Sequence, residues 1–343
     1  MAKVLVQIVT WNSRRFISDC LESLETQTYR DFSAMVIDNG STDGTVKFVR
    51  DTFPTVSVLE NSKNLGYAKA NNQGIKMCRG EYVLVLNPDA LLDSNFLETI
   101  ITFADAHPRG ASFGGKTYKL SRQAIDDRDQ GGLHEVVPSE TIDSTGLVLT
   151  HSREALNRGE GERDENQFER TEEVFGHSGS CVLFRKSALD EAAVRGEYFD
   201  QDFFAYKEDV DLAWRLRLYG WESWYIPAAV AFHYRTYSKS RNKSLLGSLK
   251  KRRSESRFLR QLSLRNHYLM LIKNEHAFNV VTGLPWLMWQ TFKMAVFVLF
   301  FEPFQFRTVI SIISMVPSTM SKRRVIATHR SAAPRDIRRW FIH

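Results

Sequence analysis

One carboxylate of the sequence directly follows an apolar stretch, in a position where it could hold a divalent cation. The segment VLVLNPDA (residues 83–90) passes from four aliphatic residues into Asn87, Pro88 and Asp89. If the stretch is a buried strand, Asp89 lies at the carboxyl edge of a sheet. Mg²⁺ in proteins commonly binds one or two carboxylates together with phosphate oxygens. A strand-to-helix turn in which the aspartate caps the helix accounts for the same residues equally well.

A second group of acids, Glu208, Asp209 and Asp211, lies in the segment YKEDVDLAWRLRLYGW (residues 206–221). The segment predicts a helix, so the acids fall in its first turn, where the helix dipole stabilises negative charge. Three acids in four positions exceed what capping requires. Clustered carboxylates raise one another's pKa, which suits a general base. Arg215 lies four residues after Asp211 and could pair with it.

Two polar turns could contact a nucleotide. The first, DNGSTDGT (residues 38–45), offers Asp38 and Asp43 as hydrogen-bond acceptors for a base and a ribose. The second, NLGYA (residues 64–68), is followed by Asn71. A glycine-rich turn leading into a capped helix is the alternative explanation for both.

His233 follows the apolar run AAVAF, which predicts a strand. A lone histidine is usually structural. Beside a metal-bound diphosphate it could be a ligand, with Arg235 or Lys239 neutralising phosphate charge. The sequence has no GxGxxG, GxxxxGK[ST] or HExxH motif, so dinucleotide-binding, P-loop and zincin functions lack support.

The elements that would position these residues alternate along the first hundred residues. Strands are predicted at residues 3–10, 32–37, 56–59 and 81–86, and helices at residues 13–26, 43–50, 67–77 and 95–106. Continuous apolar strands between amphipathic helices indicate a parallel sheet covered on both faces. In such sheets the ligand lies beyond the carboxyl ends of the strands, where the polar residues above are expected.

The remainder of the chain is less regular. Residues 120–172 are polar and acidic and predict a long, flexible loop. A strand is predicted at residues 181–185, a helix at residues 208–219 and another strand at residues 222–226. Residues 286–306 are apolar and aromatic but interrupted by charge and proline, which favours a helix lying in a membrane interface over a spanning one.

Charge divides the chain into two parts. Residues 235–343 hold 21 basic and 4 acidic residues, whereas residues 1–234 hold 25 basic and 36 acidic ones. We therefore predict two parts with different partners, at residues 1–240 and 241–343, the second a basic helical extension that meets an anionic membrane surface. Three cysteines without a CxxC pair argue against a disulfide framework and favour a reducing cytosol. The N-terminal apolar run reads as a first strand and not as a signal peptide.

The order of the motifs resembles a known family. TWN at residues 10–12, DNGSTDGT, NLGYAKANNQG, NPDA, HSGSCVLFRKSAL, FDQDFFAYKEDVDLAWRLRLYGW and a following histidine occur in the order found in family 2 glycosyltransferases of the GT-A fold. Within that family the chain is most similar to bacterial rhamnosyltransferases of surface polysaccharide synthesis. The resemblance covers about residues 3–240, and RNHYLMLIKN (residues 265–274) resembles the membrane-associated extension of such enzymes.

The resemblance implies roles for individual residues. Asp209 would be the catalytic base, with Glu208 beside it. Asp89 would bind Mg²⁺ or Mn²⁺, with His233 as a further metal or diphosphate contact. The donor-binding residues would be Thr10, Trp11, Asn12, Asp38, Asp43, Asn64, Gly66, Asn71, Asn87 and Arg235. The acceptor-binding residues would be Ser178, Gly179, Ser180 and Asp211. One departure is that Asn87 replaces the first acid of the family's DxD motif, which leaves one carboxylate for the metal.

These expectations combine into a doubly covered α/β sheet of GT-A type with a C-terminal helical extension. The activity expected is an inverting transfer of a sugar, with L-rhamnose from dTDP-rhamnose as the first choice, to a hydroxyl of a lipid-linked glycan or polysaccharide. The site would lie in the cytoplasm, peripheral to the inner face of the membrane. A UDP-sugar transferase, a nucleotidyltransferase and a basic nucleic-acid-binding protein are the alternatives, and a homodimer is left open. We expect no nucleic-acid partner, because such a protein would leave the acids at residues 208–211 unexplained.

Overall fold

The computed structural model describes residues 2–120, 138–234 and 256–342. The strands are β1 Val4–Thr10, β2 Phe32–Asp38, β3 Ser57–Glu60, β4 Tyr82–Leu86, β5 Ala90–Leu92, β6 Gly110–Leu120, β7 Pro138–Ser144, β8 Leu147–Thr150, β9 Ala155–Asn157, β10 Glu172–Glu173, β11 Cys181–Arg185, β12 Glu222–His233 and β13 Phe341–Ile342. The helices of the main part are α1 Ile17–Glu25, α2 Thr45–Thr52, α3 Tyr67–Met77, α4 Phe96–Ala106, α5 Lys186–Ala192 and α6 Glu208–Leu218. Those of the C-terminal part are α7 Arg257–Asn274, α8 Ala277–Thr282, α9 Leu284–Phe301, α10 Phe306–His329 and α11 Pro334–Arg338.

The central sheet has the strand order β10-β12-β6-β11-β4-β1-β2-β3, with β5 paired to β12 and β7 paired to β6. Strands β3, β2, β1 and β4 are parallel, and so are β6 and β12, whereas β11 is inserted antiparallel between β4 and β6. The predicted mostly parallel sheet is therefore confirmed. Its order reverses around β1 and β4, so their carboxyl ends open beside each other, where a ligand can enter.

Alternate residues of the central strands face two different cores. In β4, Tyr82, Leu84 and Leu86 pack against α1 and α4, whereas Val83 and Val85 pack in the core that holds α3, α5 and α6. This period of two is what a strand requires when both of its faces are buried. The helices accordingly cover both faces, as the continuous apolar strands predict.

The prediction of a flexible loop at residues 120–172 is wrong for its described part, residues 138–172. Strand β7 extends the central sheet, and β8 and β9 form a small sheet with β13 from the C-terminus. Strand β7 is polar, and β8 and β9 have only four and three residues, so local hydrophobic periodicity gives little sign of them. The pairing of β8 with β13 also depends on a strand near the C-terminus.

The C-terminal part shares a core with the main part. Leu269 and Met270 of α7, Ile326 of α10 and Phe341 of β13 are buried in the same cluster as Trp214 of α6. The expected boundary near residue 240, and most of the basic stretch from Lys239 to Arg260, lie outside the described residues. Helix α9 is different, because Val298 is the single buried residue among its 18.

Candidate active site

The first polar turn is built around Asp38, which is buried at the end of β2 beside Thr10 of β1. Its Oδ1 accepts a hydrogen bond from the Thr10 hydroxyl at 3.0 Å, and its Oδ2 accepts from the backbone N–H groups of Gly40 and Ser41 at 3.0 and 2.8 Å. The carboxylate therefore fixes the course of the loop. A nucleotide held here would meet a loop whose shape Asp38 sets.

Three further donor-site candidates lie on the exposed side of this loop. Trp11 is an exposed indole, and Asn12 has a left-handed backbone (φ 52°) while its Oδ1 accepts from the Thr42 N–H at 2.8 Å. Asp43 accepts from the N–H groups of Arg14 and Thr45 at 3.0 and 3.1 Å. Partial burial opposes ionisation of Asp43, but these hydrogen bonds and one from the Thr45 hydroxyl lower its pKa overall. An exposed aromatic face beside polar backbone is suited to stacking on a nucleobase.

The second polar turn lies next to the first. The Asn64 Oδ1 accepts from the Gly66 N–H at 2.9 Å and from the Asn39 amide at 3.1 Å. Gly66 has a φ of +86°, and a Cβ there would lie 2.5 Å from the ring of Phe204. Glycine is therefore needed both for the backbone conformation and for the close approach of Phe204.

The expectation that Asn71 binds the donor needs correction. Its side chain is fully buried, its Oδ1 accepts from Gln7 Nε2 at 2.7 Å, and its Nδ2 donates to the Tyr67 carbonyl at 3.0 Å. The amide oxygen joins α3 to Gln7 in the middle of β1, and the amide nitrogen bonds a carbonyl within α3, so the side chain holds the fold and is closed to solvent. Asn71 was selected because it follows a cluster of polar residues in the sequence, but its amide bonds within the core.

The metal candidates Asp89 and His233 lie together. Strand β5 returns the chain after Asp89 to pair with the end of β12, and His233 Nε2 lies 3.2 Å from Asp89 Oδ1. On the other side of the ring, Nδ1 lies 3.0 Å from Asp143 Oδ2 of β7. The carboxylate of Asp89 is partly exposed (23%) and that of Asp143 is buried (2%). Burial disfavours the charged ring, but the two carboxylates together raise the pKa of His233 to about 10.

Asp143 is the residue that the sequence analysis missed, because it lies in the segment predicted to be a flexible loop. In many metal sites a carboxylate accepts the second ring N–H of a histidine ligand and fixes its tautomer and orientation. The described residues contain no group of three or more His, Cys, Asp or Glu side chains that could hold a metal ion. The donors present nevertheless fit Mg²⁺ or Mn²⁺ bound by Asp89 and His233 with diphosphate oxygens in the other positions.

The base candidate Asp209 is connected through residues 178–180 to the end of β4, which precedes Asp89. Its Oδ2 accepts from the Gly179 N–H at 3.0 Å, and the Asn87 N–H donates to the Ser180 carbonyl at 2.8 Å. The Tyr67 hydroxyl donates to the Gly179 carbonyl at 2.6 Å. Burial, followed by the nearby charges of Glu208, Asp209 and Asp89, raises the pKa of Tyr67. Residues 178–180 therefore connect Asp209 with Asn87, two residues before Asp89, although the two aspartates are distant in the sequence.

Glu208 precedes Asp209 but is buried in the protein. Its Oε2 has no hydrogen-bond partner among the described residues, and burial, reinforced by the charge of Asp209, raises its pKa. A buried carboxyl without a partner favours its protonated form. The two adjacent acids thus have different environments: Asp209 is half-exposed at the cleft, and Glu208 lies beneath it.

Among the four acceptor candidates, the expectation that Asp211 binds the acceptor also needs correction. Its side chain is completely buried, where it accepts from Arg215 Nε at 3.2 Å, Lys273 Nζ at 2.8 Å and Asn274 Nδ2 at 2.6 Å. The expected pair with Arg215 is present, and the carboxylate joins α6 to α7. Ser178 is partly exposed, whereas Gly179 and Ser180 are buried beside Asp209 and Asn87. Arg235 and Lys239 lie outside the described residues.

Comparisons with known proteins agree with this geometry. The family described as glycosyl transferase family 2 matches residues 5–192, and glycosyl transferase family group 2 matches residues 133–321. The chain is 31% identical over 255 residues to the N-acetylglucosaminyl-diphospho-decaprenol L-rhamnosyltransferase of Mycobacterium tuberculosis, which covers 69% of this chain and 78% of that protein. It is 24% identical over 227 residues to the poly-beta-1,6-N-acetyl-D-glucosamine synthase of Staphylococcus epidermidis, which covers 66% and 48%.

Two solved structures share the fold. GalNAc-T7, solved with UDP, GalNAc and Mn²⁺, has a TM-score of 0.57 and 12% identity, covering 80% of this chain and 48% of that one. The mannosyltransferase PcManGT of Pyrobaculum calidifontis, solved with GDP-Man and Mn²⁺, has a TM-score of 0.51 and 16% identity, covering 95% and 79%. The architecture is the GT-A fold. The chain belongs to glycosyl transferase family 2 and is a glycosyltransferase.

Proposed function

We propose that this glycosyltransferase moves L-rhamnose from dTDP-rhamnose to a hydroxyl of a lipid-linked glycan, with inversion at the anomeric carbon. The observation that carries the proposal is the half-exposed Asp209 beside residues 178–180, at the same strand ends as Asp89 and His233. The choice of sugar and acceptor is supported by the name of the mycobacterial relative, an L-rhamnosyltransferase acting on a decaprenol-linked substrate.

The donor would lie across the two polar turns. Trp11 and the loop shaped by Asp38 would hold the base and ribose, and the diphosphate would extend toward Asp89 and His233. A divalent cation bound by these two residues would act as a Lewis acid that stabilises the charge of the leaving diphosphate. Asp143 would keep the imidazole oriented toward that cation, since its carboxylate lies 3.0 Å from the other ring nitrogen.

Asp209 would act as the general base. The acceptor oxygen attacks the anomeric carbon from the face opposite the diphosphate, forming the new glycosidic bond as the bond to the diphosphate oxygen breaks. The acceptor proton passes to Asp209, whose Oδ2 is held by the Gly179 N–H. Positioned proton transfer of this kind typically contributes about 10²–10⁴-fold in rate. Ser178, which is partly exposed, would contact the acceptor.

The acceptor class and location are supported by the apolar surface of α9. This helix is long and apolar enough, by length and composition, to cross a membrane, yet it is almost unburied in the structure. Trp286, Trp289 and Phe300 are among its exposed side chains. We propose that it places the catalytic part at the cytoplasmic face of the membrane, where lipid-linked acceptors are within reach.

A panel of nucleotide sugars tests the proposal. We expect dTDP-rhamnose to raise the melting temperature and to be consumed with a polyprenyl-diphosphate-linked acceptor, with Mn²⁺ or Mg²⁺ required. The control is the same panel with EDTA. Stabilisation and turnover by UDP-sugars without any response to dTDP would favour the UDP-sugar transferase instead. Release of pyrophosphate from a nucleoside triphosphate would favour a nucleotidyltransferase.

A further inference from the structure

The segment that leads into the base has an unfavourable backbone. Phe204, Tyr206 and Lys207 all have left-handed φ values, of 64°, 71° and 71°, within the four residues before Glu208. Non-glycine residues adopt such conformations at a cost in free energy, because the Cβ approaches the backbone carbonyl. The segment therefore needs contacts from the surrounding structure to keep its course, and Asp209 lies two residues beyond its end.

Those contacts come from α7 through one side-chain amide. Asn266 Nδ2 lies 2.9 Å from the Phe203 carbonyl, 2.9 Å from the Ala205 carbonyl and 2.8 Å from the Tyr206 carbonyl. Asn266 is fully buried, and its Oδ1 accepts from Arg265 Nε at 3.1 Å. The two N–H groups of a single amide are thus shared among three carbonyls of the segment and hold it on this path.

Neighbouring residues of α7 and α10 anchor the same segment on both sides. Arg265 Nη2 donates to the Asp202 carbonyl at 2.6 Å, and Lys322 of α10 pairs with Asp202 at 2.8 Å. Lys273 pairs with Asp211 of α6 at 2.8 Å. The Asn266 bonds lie between these anchors, at the part of the segment with positive φ values.

The segment also contacts the donor side of the cleft. The Phe204 carbonyl accepts from the Ala68 N–H at 3.1 Å, and the Phe204 ring lies against Gly66. A change in the course of residues 204–207 would therefore shift Asp209 relative to the donor loop. Displacements of about 1 Å in a reacting group can reduce rates about 10²-fold.

We propose that Asn266 is a positioning residue of the transfer reaction, and that helix α7 of the C-terminal part completes the active site by holding residues 203–206 through this amide. The proposal rests on the proposed function, since it acts through Asp209 as the base. It assigns to the extension a part in catalysis that is separate from contact with a membrane.

The test compares Asn266→Ala and Asn266→Asp with the wild type. The first removes the amide, and the second keeps its shape but replaces the N–H donors with an acceptor. We expect kcat to fall about 10- to 100-fold in both, with the KM for the nucleotide sugar changing less than about threefold. If both variants fail to fold, Arg265→Ala, which removes the donors to Asp202 and Phe203, should lower kcat by a smaller factor. Unchanged kcat in every variant that folds would overturn the proposal.

Asn279→Ala of α8 is the matched control. Asn279 is also a fully buried helical asparagine, and its Nδ2 donates to the Pro334 carbonyl at 2.9 Å, away from residues 203–206. We expect this change to lower the melting temperature and leave kcat near the wild-type value. An equal fall of kcat in the Asn279 and Asn266 variants would mean that general destabilisation explains the loss and would overturn the proposal.

The double variant separates this proposal from the assignment of the base. In an Asp209→Asn background, where no base remains to be positioned, Asn266→Ala should lower the residual rate by less than about threefold. A full additional loss would show that Asn266 does not act through Asp209. If Asp209→Asn alone retains turnover, the base assignment fails and the positioning role falls with it. If Asp209→Asn abolishes turnover while the Asn266 variants are normal, only the positioning role fails.

Discussion

His233 shows how a single residue depends on its neighbours. Alone, a histidine after an apolar strand is ambiguous, but here its two ring nitrogens face Asp89 at 3.2 Å and Asp143 at 3.0 Å. Nε2 faces the partly exposed Asp89 and Nδ1 faces the buried Asp143, so a cation would reach the ring from the Asp89 side by replacing the Nε2 proton. The arrangement suits a metal ligand oriented by a second carboxylate.

Asp143→Asn should weaken metal binding without removing a ligand. The amide oxygen of asparagine is neutral, so it accepts a weaker hydrogen bond from the ring N–H than the carboxylate does. Changes of this kind lower metal affinity by about 10- to 100-fold. The Mn²⁺ concentration for half-maximal turnover should rise by that factor. Asp105→Asn is the control, because Asp105 bonds Tyr82 at the opposite end of β4. An unchanged Mn²⁺ response of Asp143→Asn would rule out the orienting role.

Glu208 predicts a pH dependence of stability. Burial and the charge of Asp209 raise its pKa from an ordinary value of 4.5, so the folded state binds a proton that the unfolded state has lost. The free energy of unfolding then falls as the pH rises from 4.5 to the raised pKa of Glu208 in the folded state. Glu208→Gln should therefore exceed the wild type in free energy of unfolding by an amount that grows from pH 5 to pH 8, as measured by urea denaturation. A difference independent of pH would contradict this.

At the scale of elements, α6 is fixed by α7 through buried charges. Asp211 accepts from Arg215, Lys273 and Asn274, and all four side chains are buried. Removing one member of a buried ionic network leaves the others without compensation. The two helices therefore hold each other through Asp211, and the position of Asp209, the proposed base at the start of α6, depends on that contact.

Asp211→Asn should lower the free energy of unfolding by about 3–5 kcal/mol, because it leaves Lys273 and Arg215 partly unpaired in the core. Glu140→Gln breaks an exposed pair with Arg163 and should cost about 0–1 kcal/mol. Urea denaturation of both variants gives the comparison. Equal values for the two would mean that burial of the network has no effect on stability.

The elements differ in how far the sequence predicts them. Strands β1, β2 and β4 are mostly apolar and were predicted within one residue at each end. Strands β1 and β4 are buried on both faces, and β2 is buried at its carboxyl end. Strands β7, β8 and β9 could not be predicted, since β7 is polar, β8 and β9 have only four and three residues, and their pairing depends on β6 and on β13, which lies almost 200 residues beyond β8. Asp143 was missed for that reason.

The sequence selects candidate site residues by their position along the chain, and the structure shows where each of them lies. Asp89, His233 and Asp209 were selected by their position after a strand or at a helix start, and the structure places all three at one end of the sheet. Asn71 and Asp211 were selected by the same rule but are buried between elements. Sequence does not reveal whether a polar side chain faces a cleft or a neighbouring helix.

At the scale of the whole molecule, most of the exposed large apolar side chains among the described residues lie in the C-terminal part. Trp289, Phe292 and Phe300 of α9 and Ile310 and Ile313 of α10 are all more than half exposed. A water-soluble protein seldom leaves so large an apolar patch uncovered. The sequence analysis favoured a helix lying in the interface, whereas α9 is apolar and exposed nearly all round, which also suits deeper insertion.

Vesicle flotation should detect this surface. The wild type should float with vesicles of neutral lipid and more strongly with anionic ones, because each basic residue near an anionic surface contributes about 1 kcal/mol. Phe300→Asp should reduce the floating fraction several-fold. Met77→Asp on α3, another exposed apolar residue, should not. Recovery of the wild type in the soluble fraction with both vesicle types would contradict membrane contact.

The most direct test of the central claim, that Asp209 is the base of a nucleotide-sugar transfer, is single-turnover transfer by Asp209→Asn with donor binding measured in parallel. We expect a rate lower by about 10²-fold or more, since the base contribution is lost. We also expect unchanged stabilisation by the nucleotide sugar, because Asp209 bonds Gly179 and not the donor loop. Near-normal transfer by this variant would contradict the account.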